Sequence, residues 1–459
     1  MLAYFGQIAF LLIVGLASFL LYRRISRIRK NILLGRDADR SDQPAERWKT
    51  MGLVAFGQKK MFKRIIPAVL HLFIYVGFIV INLEVLEFVL DGLLGTHRLF
   101  QPFLGDFYAV PLNIFEFLAV AVIVSCVIFL WRRNVMHIRR FEARELTAWP
   151  KMDANIILVV EIVLMLAILT MNAADQILQE RPGAGLVDTG TLFFSSLLMP
   201  LFDGLSTSTL IFVERFAWWF HIIGILAFAV YVTYSKHLHI FLAFPNTYYS
   251  RLVPQGKMNN MPEVTKEVQI MLGTQPADAN GSDSPPEEIA RFGAKDVNDL
   301  QWTDLMGAYA CTECGRCTAE CPANQTGKKL SPRKIMMDTR DRVESVGRQL
   351  EKGEKGLDDG KTLLDDYITR EEINACTSCN ACVEACPINI NPLVIIQQMR
   401  RYVAMEEAQS PASWNAMFSN IETNFAPWKF TPTDRFNWAD ELKKEAEKKQ
   451  AVQANKEDS

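Results

Sequence analysis

Five stretches of this chain are long and apolar enough to span a bilayer, and they constrain the fold more than any other feature. They lie near residues 2–22, 66–90, 108–131, 154–174 and 214–241. Hydrocarbon offers a backbone no hydrogen-bond partners, so runs of this kind form helices of about 20 residues. All five fall before residue 246 of 459, and the remainder of the chain is polar and charged. The fold class expected is mainly α, a five-helix transmembrane bundle plus a mostly helical soluble domain. The formal net charge of −2 gives no basic excess for nucleic acid.

Charge in the loops orients the bundle. The first run is followed, not preceded, by Arg23, Arg24, Arg27, Arg29 and Lys30. That is the reverse of a secretory leader and reads as an anchor with its N-terminus outside. Lys59, Lys60, Lys63 and Arg64 close the first loop, and Arg132, Arg133, Arg139, Arg140, Arg144 and Lys151 fill the third. The loops at 91–107 and 175–213 carry one arginine each, Arg98 and Arg181. Positive charge stays inside. This places the polar half in the cytoplasm; the location expected is a bacterial inner membrane. The apolar patch at 191–202 is too short to span and reads as interfacial.

Histidines stand where lipid would be. His71 lies early in the second run, about 10 Å past Arg64 by helical rise. His221 and His239 fall in the fifth run, 18 residues apart. On one continuous helix they share a face at a separation of about 27 Å, with His237 pointing nearly opposite. His71 and His239 both sit near the cytoplasmic edge. An imidazole at this depth needs a partner. Two from different helices suit the axial positions of a b-type haem; the alternative is that each bonds a carbonyl or a glutamate. Glu161, about 15 Å along its helix from Lys151, is a candidate for a quinone-linked proton route; its alternative is a neutral carboxyl bonded to a neighbouring helix. Lys236 reads as snorkelling to the interface; its alternative is pairing with a haem propionate.

The polar half carries eight of the nine cysteines. Cys311, Cys314, Cys317 and Cys321 precede Pro322, and Cys376, Cys379, Cys382 and Cys386 precede Pro387. Both sets read C-x2-C-x2-C-x3-C-P, the spacing of two-cluster [4Fe–4S] ferredoxins. Three thiolates wrap one cluster and the fourth reaches the other. The expected ligand sets are Cys311, Cys314, Cys317 and Cys386 for one cluster, and Cys376, Cys379, Cys382 and Cys321 for the other. The chain then divides into a haem b membrane domain (1–245), a cytoplasmic linker (246–300), a two-cluster domain (301–407) and an aromatic, charged tail (408–459) suited to docking a partner.

A five-span unit with His71 early in its second helix and a fifth ending "SKHLHI" resembles the gamma subunit of respiratory nitrate reductase. It also resembles membrane subunits of heterodisulfide reductases. The text "CGRCTAECPANQTGKKLSPRK" is similar to heterodisulfide reductase-type iron–sulfur subunits. The resemblance implies that His71 and His239 bracket one haem. In two-haem relatives the second helix supplies another histidine ten residues on; here that place is Ile81, which leaves His221 without its expected partner, and a second haem held in part by His221 stays open. The chain has no adjacent Cys-Cys pair, no G-x-G-x-x-G unit and no P-loop, so a cysteine-rich or flavin centre is expected on a separate cytoplasmic subunit. The function expected is electron transfer between the quinone pool and that partner, heterodisulfide reductase-like or electron-transfer-flavoprotein:quinone oxidoreductase-like. The competing reading is an iron–sulfur sensor or membrane anchor without turnover of its own.

Overall fold

The computed structural model describes residues 4–181, 187–258, 260–274, 291–353 and 359–457. The Pro/Ser/Asp-rich run read as linker, 275–288, lies outside them. The chain separates into two compact units, Met1–Ala290 with Ala294–Met399, and Arg291–Gly293 with Arg400–Ser459. Among the described residues there is no strand, only two isolated bridges.

Five helices in the first unit are long and apolar enough to cross a membrane. They are α1 (Phe5–Ile32), α2 (Ile65–Leu94), α3 (Ala109–Asn134), α4 (Trp149–Glu180) and α5 (Thr207–Val232). Local chemistry sets their ends. The Ser206 hydroxyl accepts from the Thr209 N–H and starts α5, whereas Gly95, at φ 73°, closes α2 in the left-handed conformation. The shared core draws on all five, through Phe10, Phe88, Leu118, Leu164 and Trp218 among others. Lipid gives no hydrophobic drive between helices, so close packing has to supply the attraction. Gly224 permits one such approach, since a Cβ there would lie 2.5 Å from Leu164 Cδ2.

At the end of the bundle farthest from the cysteines, buried carboxylates tie down the connecting loops. Asp91 accepts from the Arg98 and Leu99 N–H groups, Glu87 from the Phe100 N–H and the Tyr108 hydroxyl, and Glu116 from the Phe194 and Ser195 N–H groups. Arg98 donates to Asn172 at 2.7 Å and Asp175 at 3.3 Å. The loop backbones thereby find partners that lipid would not supply.

At the opposite end, arginines join the bundle and its loops to the cysteine region and to the stretch leading into it. Arg24 grips Glu344 with two bonds of 2.8 and 3.1 Å, and the Tyr309 hydroxyl donates to the same carboxylate at 2.7 Å. Arg333, fully buried, donates to the Arg140 carbonyl and to Glu145, each at 2.8 Å. Arg47, 1% exposed, holds the Tyr248 and Ser250 carbonyls at 3.0 Å. Arg24 and Arg140, two of the residues that the sequence assigns to topology, thus also fasten the bundle to the cysteine region.

The fifth span ends earlier than expected. α5 stops at Val232, a turn follows, and a new helix, α6 (His239–Tyr248), begins at His239. Asp153 causes the break, accepting from the Tyr231 hydroxyl and the Lys236 N–H, while Ser235 Oγ accepts from the His237 N–H. His221 and His239 therefore do not share one helix face. The linker expected over 246–300 contributes to the fold at both ends: α6 runs to Tyr248, and the Leu300 carbonyl accepts from the Arg36 N–H at 2.7 Å.

The cysteine region rests on α7 (Trp302–Ala310), α8 (Pro332–Glu351) and α9 (Pro392–Arg401). Arg342, fully buried in α8, binds Asp296 and Asp359. In the second unit, α10 (Ala412–Asn424) places Trp414, Phe418 and Ile421 on one exposed face, and α11 (Asn437–Glu457) comes after it; Trp428 and Trp438 are exposed.

Candidate functional site

The two cysteine motifs fold the same way. Cys311 ends α7, and the chain then turns left-handed at Glu313 (φ 56°) and Gly315 (φ 70°) before a short helix, Arg316–Ala319. Cys376 ends the helix Arg370–Ala375, and the chain turns left-handed at Ser378 (φ 55°) and Asn380 (φ 62°) before Ala381–Ala385. Each turn directs three thiols inward from one tight loop.

The fourth thiol of each motif crosses over. Cys386 lies among Cys311, Cys314 and Cys317, whereas Cys321 lies among Cys376, Cys379 and Cys382. Burial, reinforced by neighbouring thiols, pushes Cys311 and Cys382 up to about 12 and Cys386 up to about 11. Thiols so placed ionise when a metal takes the proton's position. Backbone N–H groups of Ser378 and Ile390 point at Cys376 Sγ (3.4 Å) and Cys386 Sγ (3.3 Å). Among the described residues no three His, Cys, Asp or Glu side chains are arranged around a single-ion position. Two sets of four thiols, crossed between motifs, fit two multinuclear clusters.

The two sets differ in setting. Cys379 is exposed, so the second set opens to solvent. The first set faces the bundle. Arg140 and Arg316 lie beside Cys314, and Lys60 lies beside Cys386. Arg316 donates to the Lys60 and Met61 carbonyls at 3.4 Å and lies within electrostatic reach of His71.

His71 and His239 meet on that side. Their ring centres are 6.4 Å apart with planes inclined at 39°. His71 Nδ1 contacts Gln58 Oε1 at 3.2 Å, and His239 Nδ1 contacts the Lys236 carbonyl at 3.2 Å. Both Nδ1 atoms are thus occupied, which leaves Nε2 of each as the nitrogen available to a metal. An iron held between two imidazoles sets the ring centres about 6 Å apart, given metal–nitrogen bonds of about 2 Å. The 6.4 Å between the two ring centres matches that spacing. His237 is not opposite His239, as a continuous helix would require; their rings lie 5.1 Å apart.

His221 stands elsewhere. It is fully buried, with Nδ1 2.9 Å from the Leu164 carbonyl and its ring edge-on to Phe88 at 6.0 Å. Its Nε2 has no hydrogen-bond partner, and Ile81 fills part of the same core. Glu161 lies in α4 beside Cys126, and no hydrogen bond or ion pair reaches it among the described residues.

Lys236 corrects another expectation. It does not snorkel; it is buried, with Nζ bonded to the Pro150 carbonyl at 2.6 Å and to the Glu313 carboxylate. Burial alone would raise Glu313, but Arg340, at 2.9 Å, and Lys236 outweigh it and hold the carboxyl below its ordinary value. Sequence reading also missed Gln58 and the far-end network of Glu87, Asp91, Arg98 and Asp175. An arginine standing alone in an acid-flanked outer loop was the available signal for the latter.

A 4Fe-4S dicluster domain is matched over residues 310–391, which spans both motifs and the helices between them. The chain is similar to iron–sulfur oxidoreductases and, over shorter stretches, to heterodisulfide reductase iron–sulfur proteins. The probable iron-sulfur-binding oxidoreductase FadF of Bacillus subtilis is 26% identical, over 95% of this chain and 61% of that protein. The EtfAB:quinone oxidoreductase of Syntrophomonas wolfei is also 26% identical, over 88% of this chain and 55% of that protein. A probable membrane-anchored ferredoxin of Chromohalobacter salexigens is 32% identical, over 37% of this chain and 26% of that protein. The chain thus spans between half and two thirds of the first two relatives. No solved structure matches it.

Proposed function

We propose that this chain is a membrane electron-transfer subunit. It carries electrons between quinone in the bilayer and a cytoplasmic redox partner that holds a flavin or cysteine-rich centre. The membrane is the bacterial inner membrane, and the cysteine region faces the cytoplasm. Cys311, Cys314, Cys317 and Cys386 would hold one [4Fe–4S] cluster, Cys376, Cys379, Cys382 and Cys321 the other, and His71 and His239 a haem b. Each of these groups supplies reversible one-electron carriage when bound.

The observation that carries the reading is positional. The His71–His239 pair sits at the end of the bundle that bears the cysteine region, and Lys236 joins the two by contacts to His239 and to Glu313. The residues do the rest. The basic side chains Arg316, Arg140 and Lys60 favour negative charge at the first thiol set. Exposed Cys379 marks the face a soluble partner would approach. Glu161, unpartnered within α4, is the candidate to hand a proton to or from quinone. By its name the Syntrophomonas relative acts on quinone, which supports extending quinone to this chain.

The test is to purify the chain anaerobically into vesicles and add a menaquinol analogue. Reduction of iron–sulfur signals by the quinol supports the reading. Intact clusters that no quinol or quinone can reduce or oxidise would leave the sensor or anchor reading in its place.

A further inference from the structure

The two left-handed turns offer an internal comparison. The residue at the second position between the first two cysteines has the same backbone in both motifs, Glu313 at φ 56° and Ser378 at φ 55°. Left-handed backbone costs an L-residue about 1–2 kcal/mol, and the tight cysteine turn imposes it at this position in both motifs. The Ser378 hydroxyl sits in the set that opens to solvent, and Glu313 in the set that faces the bundle. The Glu313 carboxylate is buried, 5% exposed. Its Oε1 pairs with Arg340 and its Oε2 with Lys236. The Lys236 carbonyl meets His239 Nδ1 at 3.2 Å. One buried residue thus spans the gap between the first cysteine turn and the ring of a candidate haem ligand.

We propose that Glu313 and Lys236 are a positioning pair, which locks the first thiol set against the histidine loop and sets its reduction potential. This rests on the functional reading above. Adding one electron among Cys311, Cys314, Cys317 and Cys386 adds one negative charge there. A buried anion beside the set opposes that charge and a buried cation favours it, and low local dielectric enlarges both effects. Glu313 alone would depress the potential; Lys236 and Arg340 compensate it. The pair also fixes tautomer and orientation at His239 through the Lys236 carbonyl, as outer hydrogen bonds do for metal-bound imidazoles.

The experiment is an anaerobic redox titration, followed by electron paramagnetic resonance, of the full chain and its Glu313→Gln, Lys236→Met and Lys236→Arg variants. The first-set signal is identified as the one lost in Cys314→Ala, and the signal lost in Cys379→Ala serves as the internal control. Glu313→Gln should shift the first-set potential upward. Lys236→Met, which leaves Glu313 less compensated, should shift it downward. Lys236→Arg should restore it towards the parent value, and the control signal should stay in place in all three. Shifts of Glu313→Gln and Lys236→Met in the same direction, or none, overturn the proposal. Loss of iron from both variants also overturns it, because the pair would then be a folding device alone. A parent chain with no reducible [4Fe–4S] signal would instead sink the functional reading itself, and the pair would have nothing to tune.

Discussion

Replacing Cys386 by alanine separates the geometry from the order of the sequence. In the chain Cys386 belongs with Cys376, Cys379 and Cys382; in space it lies among Cys311, Cys314 and Cys317. Two four-iron clusters give about 8 non-haem iron atoms per chain, so loss of one cluster leaves about 4. Each single variant, Cys314→Ala or Cys386→Ala, should fall to about 4 through loss of the same cluster. Residues that act as one unit are non-additive, and residues in separate units add. The double variant of Cys314 and Cys386 should therefore also keep about 4 non-haem iron atoms, whereas the double variant of Cys376 and Cys386 should keep almost none. Iron and acid-labile sulfide analysis of anaerobically purified protein reads the difference, with Mössbauer spectra to count intact cubanes. The reasoning is refuted if the Cys376 and Cys386 double variant retains as much iron as either single, because the two thiols would then serve one cluster.

Three other outcomes rest on the packing and charges. Arg24→Ala breaks a largely buried two-bond clamp between α1 and α8; since Glu344 keeps some solvent, the loss should be about 2–3 kcal/mol, read as earlier proteolysis or faster hydrogen exchange in α8. Gly224→Val forces a side chain towards Leu164 and should destabilise the bundle by about 1–3 kcal/mol, seen as a lower thermal midpoint in detergent. Burial raises Asp304 from 3.8 to about 6, against the opposing pull of the Gln301 N–H, Arg40 and Arg251. Its folded state therefore prefers the protonated form, and the stability this gives below about pH 4 is lost as pH rises through about 6. Asp304→Asn should match the parent at low pH and exceed it at pH 7, by at most about 3 kcal/mol; equal midpoints at both pH values would contradict the assignment.

The spans and the cysteine sets were legible because each rests on a local rule. Apolar length dictates helices in lipid, and the cysteine spacing dictates a tight turn with a displaced fourth ligand. The break after Val232 was not legible. Its cause is Asp153, on another helix, which takes the Tyr231 hydroxyl and the Lys236 N–H; nothing in "VYVTYSKHLHI" forces a turn on its own. The same distance in sequence hid Lys236 and Glu313. A lysine after an apolar run reads as interfacial until the cysteine region of the same compact unit closes over it. His71 and His239 came together even though the single helix assumed for His221 and His239 does not exist, because the depth of each was fixed by its own neighbouring charges. His221 lies in α5 with the Leu164 carbonyl of α4 at its Nδ1 and Ile81 of α2, not a second histidine, in the core beside it.

The most direct measurement is the reduced-minus-oxidised visible spectrum of the anaerobically purified chain, compared with its His71→Ala, His239→Ala and His221→Ala variants. The account predicts a b-type band in the parent and in His221→Ala, and its loss in each of the other two while the iron–sulfur signals persist. A parent without the band, or a band that survives both His71→Ala and His239→Ala, would contradict it.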